Sequence, residues 1–577
     1  MLITRRKGEL SEELAGSNLH PLLKQVYANR GVTSLKQVDY QLANLQDYSS
    51  LKDIDRAASL VADYITQQKK ILIVGDFDAD GATSCALMIR CLNAFGLTNI
   101  DYLVPNRFDF GYGLSPQIVD VAAQSSPDLI ITVDNGISSI SGVARASERG
   151  IPVVVTDHHL AGDTLPEAAA IINPNQPGCE FPAKNTAGVG VAFYLMLAVR
   201  AQLREREWFD DSKPEPNMAF VLDLVALGTV ADVVPLDDNN RILVNAGLQR
   251  IRQNRGCAGI HALLEVAGKS VAQCSSMDFG FIVGPRLNAA GRLDDMSLGI
   301  ECLLSNDYAQ ALQYAGELDQ MNRQRRKIEG EMLEQAFVLL NKQMAQLEAS
   351  EDLPDALALY DEQWHQGVVG LLASRLKEKF HRPVIAFADA GDGELKGSGR
   401  SISGLHLRDA LDRVDKYQPG LIEKFGGHAM AAGLSIRAEN LADFQRIFGE
   451  QVSAVLRPED LQNICETDGP VDEDCMNIET TEVIRYASPW GQLFPEPVFD
   501  DVFTLSSWRI VGEKHLKMEL EKNGSGRRFS AIAFNKTDED LPAGTDQVRV
   551  VYRLDVNEFR GNRSLQLIVQ HLAPAAQ

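Results

Sequence analysis

Between residues 71 and 173 the chain repeats one pattern: a short apolar run, then a stretch of helical periodicity. The runs are "ILIV" (71–74), "IDYLV" (100–104), "LIITV" (129–133), "VVV" (153–155) and "AAAII" (168–172). Strands this apolar need cover on both faces, which is the property of a parallel sheet sandwiched by helices. Alternation at this spacing gives βαβ units and a doubly wound α/β sheet. The helical pattern "GATSCALMIRCLNAFG" is expected to close at Gly96.

At 577 residues the chain exceeds one core and should divide into three to five domains. We expect an N-terminal helical segment over 1–69 and the parallel-sheet domain over 70–306. A long proline-free helix over 307–350 leads to a second α/β domain over 351–455. The stretch 217–236 reads as a buried helix closing near Gly228, followed by a loop. Residues 460–500 read as an acidic, proline-containing linker with a cap. Short strand-like runs with Gly and Asn turns then make a small β-barrel or sandwich within 456–577.

"VGDFDADGATS" (74–84) follows the first apolar run and places Asp76, Asp78 and Asp80 at alternate positions. A calcium loop of the EF-hand type needs Glu at its twelfth position and a helix before it. Here the twelfth residue is Leu87 and a strand precedes, so that reading fails. If the extended backbone persists past Gly75, the three carboxylates project to one side, just beyond the carboxyl end of a strand, where open α/β sheets bind ligands. Asp-Gly and Asp-x-Asp stretches also form turns or cap the next helix.

Two further strand ends carry similar groups. "TVDNG" leaves Asp134 after its run, and "VVVTDHH" leaves Asp157, His158 and His159 after another. "GTVADVVPL" adds Asp232. Core packing calls for apolar residues at such positions. Oxygen-rich ligation with an imidazole suits Mn²⁺ or Mg²⁺, whereas zinc would recruit cysteine. The eight cysteines are scattered, with no C-x-x-C. No run of about 18 apolar residues is present, and the N-terminus lacks a signal-peptide core. A reduced, cytoplasmic protein with no membrane contact is expected. The net charge of −23 argues against nucleic acid taken alone. An acidic metal site contributes to that sum, and local charge governs a deep site.

These motifs, in this order, resemble the DHH phosphoesterase superfamily. "GPRLNAAGRL" (284–293), "WHQGVVGLLASRL" (364–376), "GSGRS" (397–401) and "GGHAMAAG" (426–433) resemble its branch of exonucleases specific for single-stranded DNA. The resemblance implies 5′→3′ removal of 5′-mononucleotides from single-stranded DNA, in repair and recombination, with two Mn²⁺ or Mg²⁺ ions per active site. It implies Asp78, Asp80, Asp134, His158 and Asp232 as ligands. His159 would face the phosphate or orient His158. Several relatives carry His where this chain has Val74, and Asp76 is expected to compensate as an active-site carboxylate.

Arg107 and Tyr112, with Ser398 and Arg400 in a Gly-rich loop, would hold the 5′ end. Arg286 and His428 would contact the DNA backbone near a cleft between the DHH domain and its associated domain. The terminal β region would be an oligonucleotide-binding (OB) barrel, with Trp508, Arg509, Lys514, Lys517, Arg527, Arg528, Phe529, Arg553, Phe559 and Arg560 as its basic and aromatic groups. Any small barrel shows a similar scatter. Relatives work with single-strand-binding protein and helicases. The rival function is a DHH phosphoesterase acting on short oligonucleotides, cyclic dinucleotides or polyphosphate. A scaffold with a degenerate site is disfavoured by the intact Asp/His set.

Overall fold

The computed structural model describes residues 2–106, 113–346, 353–512, 514–522, 526–537, 540–541, 546–559 and 561–575. Two compact units are present. One comprises Ile3–Asp319 with Glu466–Gln577, and the other Met1–Leu2 with Gln320–Cys465.

The chain opens with a strand, β1 (Leu2–Arg5), before the helices Pro21–Ala28 and Ile54–Thr66 of the region expected to be helical. The expected parallel sheet follows: β2 (Ile71–Val74), β3 (Ile100–Leu103), β4 (Leu129–Val133), β5 (Val153–Thr156) and β6 (Ala170–Ile172). Its order is β3-β2-β4-β5-β6, with every pair parallel. Every residue of β2, β4, β5 and β6 is buried, as covering both faces requires. The chain steps from β2 to β3, then crosses back past β2 to lay down β4. That reversal opens a crevice at the carboxyl ends of β2 and β4. Val74 pairs with Thr132, and Val133 with Thr156, so the strands end level.

Two local expectations change. The extended backbone does not persist past Gly75 to Asp80, because a helix starts at Ala79 and runs to Ala94, with Asp78 as its N-cap. The reading of Asp-x-Asp-Gly as a helix cap thus holds for Asp78. The helix ends just before Gly96, which has φ +90°. The second buried helix is Leu222–Ala231 and passes through Gly228 instead of closing there. Packing outweighs the helix-breaking tendency of that glycine.

The long helix is Tyr308–Gln346, about 60 Å at 1.5 Å per residue. The division between the units falls within it, after Asp319. The next unit holds β7 (Leu357–Tyr360), β8 (Val384–Gly391), β9 (Glu394–Arg400), β10 (Lys424–Gly427) and β11 (Ala431–Arg437), ordered β10-β11-β9-β8-β7. Only β7 and β8 are parallel. In its core Phe444 stacks on Phe448 and meets Phe387 edge-to-face. "GSGRS" is not a loop, since its residues through Arg400 lie on β9, held by neighbours on both sides.

β12 (Ile464–Thr467) pairs with β1. Residues 466–500 are not a linker. Trp490 is buried, stacks on Phe494 with ring centroids 5.3 Å apart, and donates to the Ile484 carbonyl. Arg30 forms a buried ion pair with Asp468 at 2.8 Å.

β13 (Phe499–Val511), β14 (His515–Lys522), β15 (Arg528–Phe534), β16 (Gln547–Phe559) and β17 (Asn562–Pro574) close a five-stranded barrel in the order β13-β14-β15-β17-β16. β14 alternates strictly between half-buried and buried residues, with Leu516, Met518 and Leu520 inward. Asp500 accepts from Arg5, Arg549 and Thr467.

Candidate metal centre

Residues that follow three strands meet in the crevice. Asp76, Asp80, Asp134 and Asp157 are buried, and His158 is 12% exposed. Three groups of donor atoms lie within 4.8 Å of one another: Asp76, Asp78 and Asp134; Asp80, His158 and Asp232; and Asp134, His158 and His159. His158 Nε2 stands 3.1 Å from Asp134, 3.5 Å from Asp232 and 4.0 Å from Asp80.

Each side chain is placed by a specific device. Asp78 caps the Ala79–Ala94 helix by accepting from the Asp80 and Gly81 amides. The Gly188–Glu205 helix aims its first N–H groups at Asp80, from Gly188 at 2.7 Å and Val189 at 2.9 Å. This is the anion-holding property of a helix N-terminus. Asp134 adopts φ +60°, a conformation that aspartate tolerates and that recurs at functional sites. Asn135 donates to the Val74 and Val133 carbonyls, tying the ends of β2 and β4 together. Asp232 caps the end of the Leu222–Ala231 helix, and Val233 after it takes a strained φ of +63°.

Asp157 does not join these donor groups. Its carboxylate accepts from the amides of Ile137, His158 and His159 and from His159 Nδ1 at 2.7 Å. Burial opposes its ionisation, yet the His159 contact holds its pKa below the ordinary value. Burial also opposes charging of His159, but Asp157 outweighs it and pushes that imidazole up to about 9. Without metal, His159 thus favours its protonated form at neutral pH. It bonds to Asp157, with its ring 4.5 Å from that of His158.

The carboxylates repel one another. Burial and the Asp78 charge push Asp80 up to about 7. Burial and Asp80 raise Asp134 and Asp232 well above the ordinary range. A buried oxygen-rich set with one shared imidazole, uncomfortable in its ionised form, fits hard divalent cations. Val74 is fully buried, and Asp76 stands with Asp78 and Asp134.

The substrate candidates are distributed differently. Arg107 and Tyr112 lie outside the described residues. Arg286 is buried, donates to the Ile282 carbonyl and pairs with Asp319 at 2.8 Å. In the other unit, Arg400 donates to the Gly399 carbonyl and weakly to Ser398 Oγ. Burial draws its pKa down, and among the described residues no carboxylate neutralises it. Both side chains pack against the N-terminus of the Val369–Phe380 helix, where a Cβ on Gly370 would lie 2.9 Å from Ser398 Oγ and 3.2 Å from Arg400 Nη2. His428 is exposed in the β10–β11 turn, bonded through its amide to Ala431, the partner of Arg400 across β9–β11.

On the barrel, Trp508, Arg509, Lys514 and Arg528 are exposed and Lys517 is half-buried. Phe529 is inside it, Arg553 pairs with Glu496, and Arg527 donates to the Glu473 and Met476 carbonyls. The side chain of Phe559 and all of Arg560 lie outside the described residues. Sequence reasoning missed Gly188 and Asn135 as organisers of the site, and grouped Asp157 with the other strand-end acids without seeing its supporting role. Only "DNG" and "DHH" hinted at the last two.

Residues 70–229 match the DHH family, N-terminal domain; 353–454 the DHHA1 domain; and 467–571 the RecJ OB domain. The single-stranded-DNA-specific exonuclease RecJ of Salmonella typhimurium is 53% identical over 575 residues, 99% of each chain. That of Escherichia coli is 52% identical, also over 99% of each. The crystal structure of RecJ with Mn²⁺ from Thermus thermophilus covers 99% of this chain and 79% of its own, with a TM-score of 0.79 at 28% identity. Identity at that level along nearly the whole length places this chain in the RecJ family.

Proposed function

We propose that the chain is a metal-dependent 5′→3′ exonuclease that degrades single-stranded DNA to 5′-mononucleotides. The observation that carries this reading is that the Asp76, Asp78 and Asp134 donors lie beside the Asp80, Asp232 and His158 donors, with His158 Nε2 3.1 Å from Asp134, which supports two neighbouring cation positions. Asp76, Asp78 and Asp134 would hold one Mn²⁺ or Mg²⁺ ion, and Asp80, Asp232 and His158 the other. When bound, such a pair supplies Lewis acidity and charge neutralisation for phosphodiester hydrolysis.

The chain's own residues do the rest. Asp157 and Asn135 hold the turns that present His158 and Asp134. His159, held by its bond to Asp157, would meet negative charge developing on the phosphate. Arg400, Ser398 and the adjacent helix N-terminus suit a terminal 5′-phosphate. The barrel contributes exposed basic and aromatic side chains for a single strand. Single-strand-binding protein and a helicase are the partners proposed from family resemblance, in cytoplasmic DNA repair and recombination.

The test is digestion of end-labelled single-stranded and duplex DNA, with Mn²⁺ or with chelator. Mononucleotides released from the 5′ end of single strands only, and only with metal, are expected. Equal attack on duplex, exclusive hydrolysis of dinucleotides, or activity in chelator overturns the reading.

A further inference from the structure

The Gly284–Leu293 helix touches the Asp76–Asp80 loop at two points and the long helix at a third. Asn288 Oδ1 accepts from the Ala79 amide at 2.8 Å. Three residues on, and so on the same face, Gly291 comes so close that a Cβ there would lie 1.8 Å from the Phe77 carbonyl oxygen. Arg286, two residues before Asn288 and hence on the far side of the helix, pairs with Asp319 of the long helix at 2.8 Å, with both side chains about nine-tenths buried.

The Ala79 peptide lies between the candidate ligands Asp78 and Asp80. As first residue of its helix, Ala79 has an N–H with no intrahelical acceptor. Asp78 already serves the next two amides through Oδ1. A further demand on Asp78 would draw its carboxylate toward the helix and away from a cation. Asn288 removes that demand. Because the amide can only donate, the Asn288 side chain must present its oxygen there.

We infer that Asn288 is a positioning residue for the metal centre. It holds the Ala79 amide, which fixes the peptide between Asp78 and Asp80, and it acts from a helix braced at Arg286–Asp319. This rests on the two-cation reading above, and it makes a helix outside the donor set part of the site's rigidity.

The test is calorimetric titration of the full chain with Mn²⁺, beside the Mn²⁺ dependence of cleavage. Asn288→Ala should weaken Mn²⁺ binding about 10- to 100-fold, as loss of a ligand's supporting contact typically does. It should raise the Mn²⁺ needed for half-maximal cleavage while leaving the KM for DNA at saturating metal near that of the unaltered chain. Asn288→Asp keeps an acceptor for the Ala79 amide and should restore binding. If Asn288→Ala does not fold, Asn288→Gln, which displaces the carbonyl by one methylene, should show the same weakening. Unchanged Mn²⁺ affinity in the Ala or Gln variant, or equal weakening in Asn288→Asp, overturns the inference. Should the unaltered chain bind no Mn²⁺, the two-cation reading fails and carries this one with it, so the two failures are distinguishable.

Discussion

Replacing Gly228 with alanine tests whether close backbone packing sets the geometry of the metal centre. In an open helix interior the change stabilises by about 1 kcal/mol, because alanine is the better helix former. Gly228 has no such room. A Cβ there would lie 2.3 Å from Thr83 Oγ1, 2.7 Å from Val189 Cγ1 and 2.9 Å from Asp80 Oδ1. None of these neighbours yields easily. Thr83 is fully buried and its hydroxyl donates to the Ala79 carbonyl at 2.8 Å. Asp80 is held by two backbone amides, each bond to a charged group worth roughly 1.5–3 kcal/mol. Overpacking costs about 1–3 kcal/mol, so a net loss of roughly 0–2 kcal/mol is expected after the helix-propensity gain.

The larger effect falls on Asp80, and Mn²⁺ affinity should drop about 10- to 100-fold. Gly316 in the long helix is the control, since a Cβ there meets nothing within 4 Å and Gly316→Ala should stabilise by about 1 kcal/mol. Urea unfolding of the metal-free proteins reads the first quantity and Mn²⁺ calorimetry the second. A Gly228→Ala protein as stable as the Gly316→Ala control, binding Mn²⁺ like the unaltered chain, would refute the reasoning.

Asp80→Ala and His158→Ala should each abolish cleavage while fluorescence anisotropy shows single-stranded DNA still bound; near-normal turnover in either purified variant removes it from the ligand set. Arg400→Ala should reduce the preference for 5′-phosphate over 5′-hydroxyl ends by about 10- to 100-fold, from loss of one charge-assisted contact worth roughly 1.5–3 kcal/mol. Unchanged discrimination in competition assays places the end-binding site elsewhere. Metal-free protein should lose stability as pH rises from about 4 to about 7. Asp80, Asp134 and Asp232 keep protons in the folded state that the unfolded chain has released, so unfolding becomes easier across that window. His159, raised to about 9, adds stability below its unfolded pKa that fades as pH climbs toward 9, in the same direction. Mn²⁺ should flatten the slope, and melting at pH 5 and pH 8 with chelator or Mn²⁺ checks it; a metal-free midpoint that rises with pH contradicts the picture.

The sheet was legible because its strands need apolar cover on both faces. "ILIV", "LIITV" and "VVV" each end where side chains leave the core, which exposed Asp134 and His158 as exceptions. Helix starts were less legible. Asp78 looked like one of three alternating carboxylates, but its capping bonds to Asp80 and Gly81 pull the backbone into a helix at once. β9 was hidden by its glycines, which are poor strand formers alone. Gly397 and Gly399 are required because a Cβ would lie 2.6 Å from Phe387 and 2.7 Å from Leu407. Gly188 and Asn288 act across long sequence separations, and no local pattern marks such contacts. The segment after 460 was misread because prolines and acidic residues mask the buried Trp490.

The unit that carries the metal centre is discontinuous along the chain, and a ribosome makes its two portions at different times. Arg30 must wait for Asp468, Tyr27 for Ser488, and Arg5 for Asp500. Residues 320–465 are translated in between, a delay on the order of ten seconds at elongation rates of about 5–20 residues per second. During that interval the earliest helices have none of their late-made partners, while the intervening unit can close around its own phenylalanine cluster as soon as it emerges. The supports of the earliest helices are thereby the last part of that unit to be made, although every donor of the metal centre lies before residue 233.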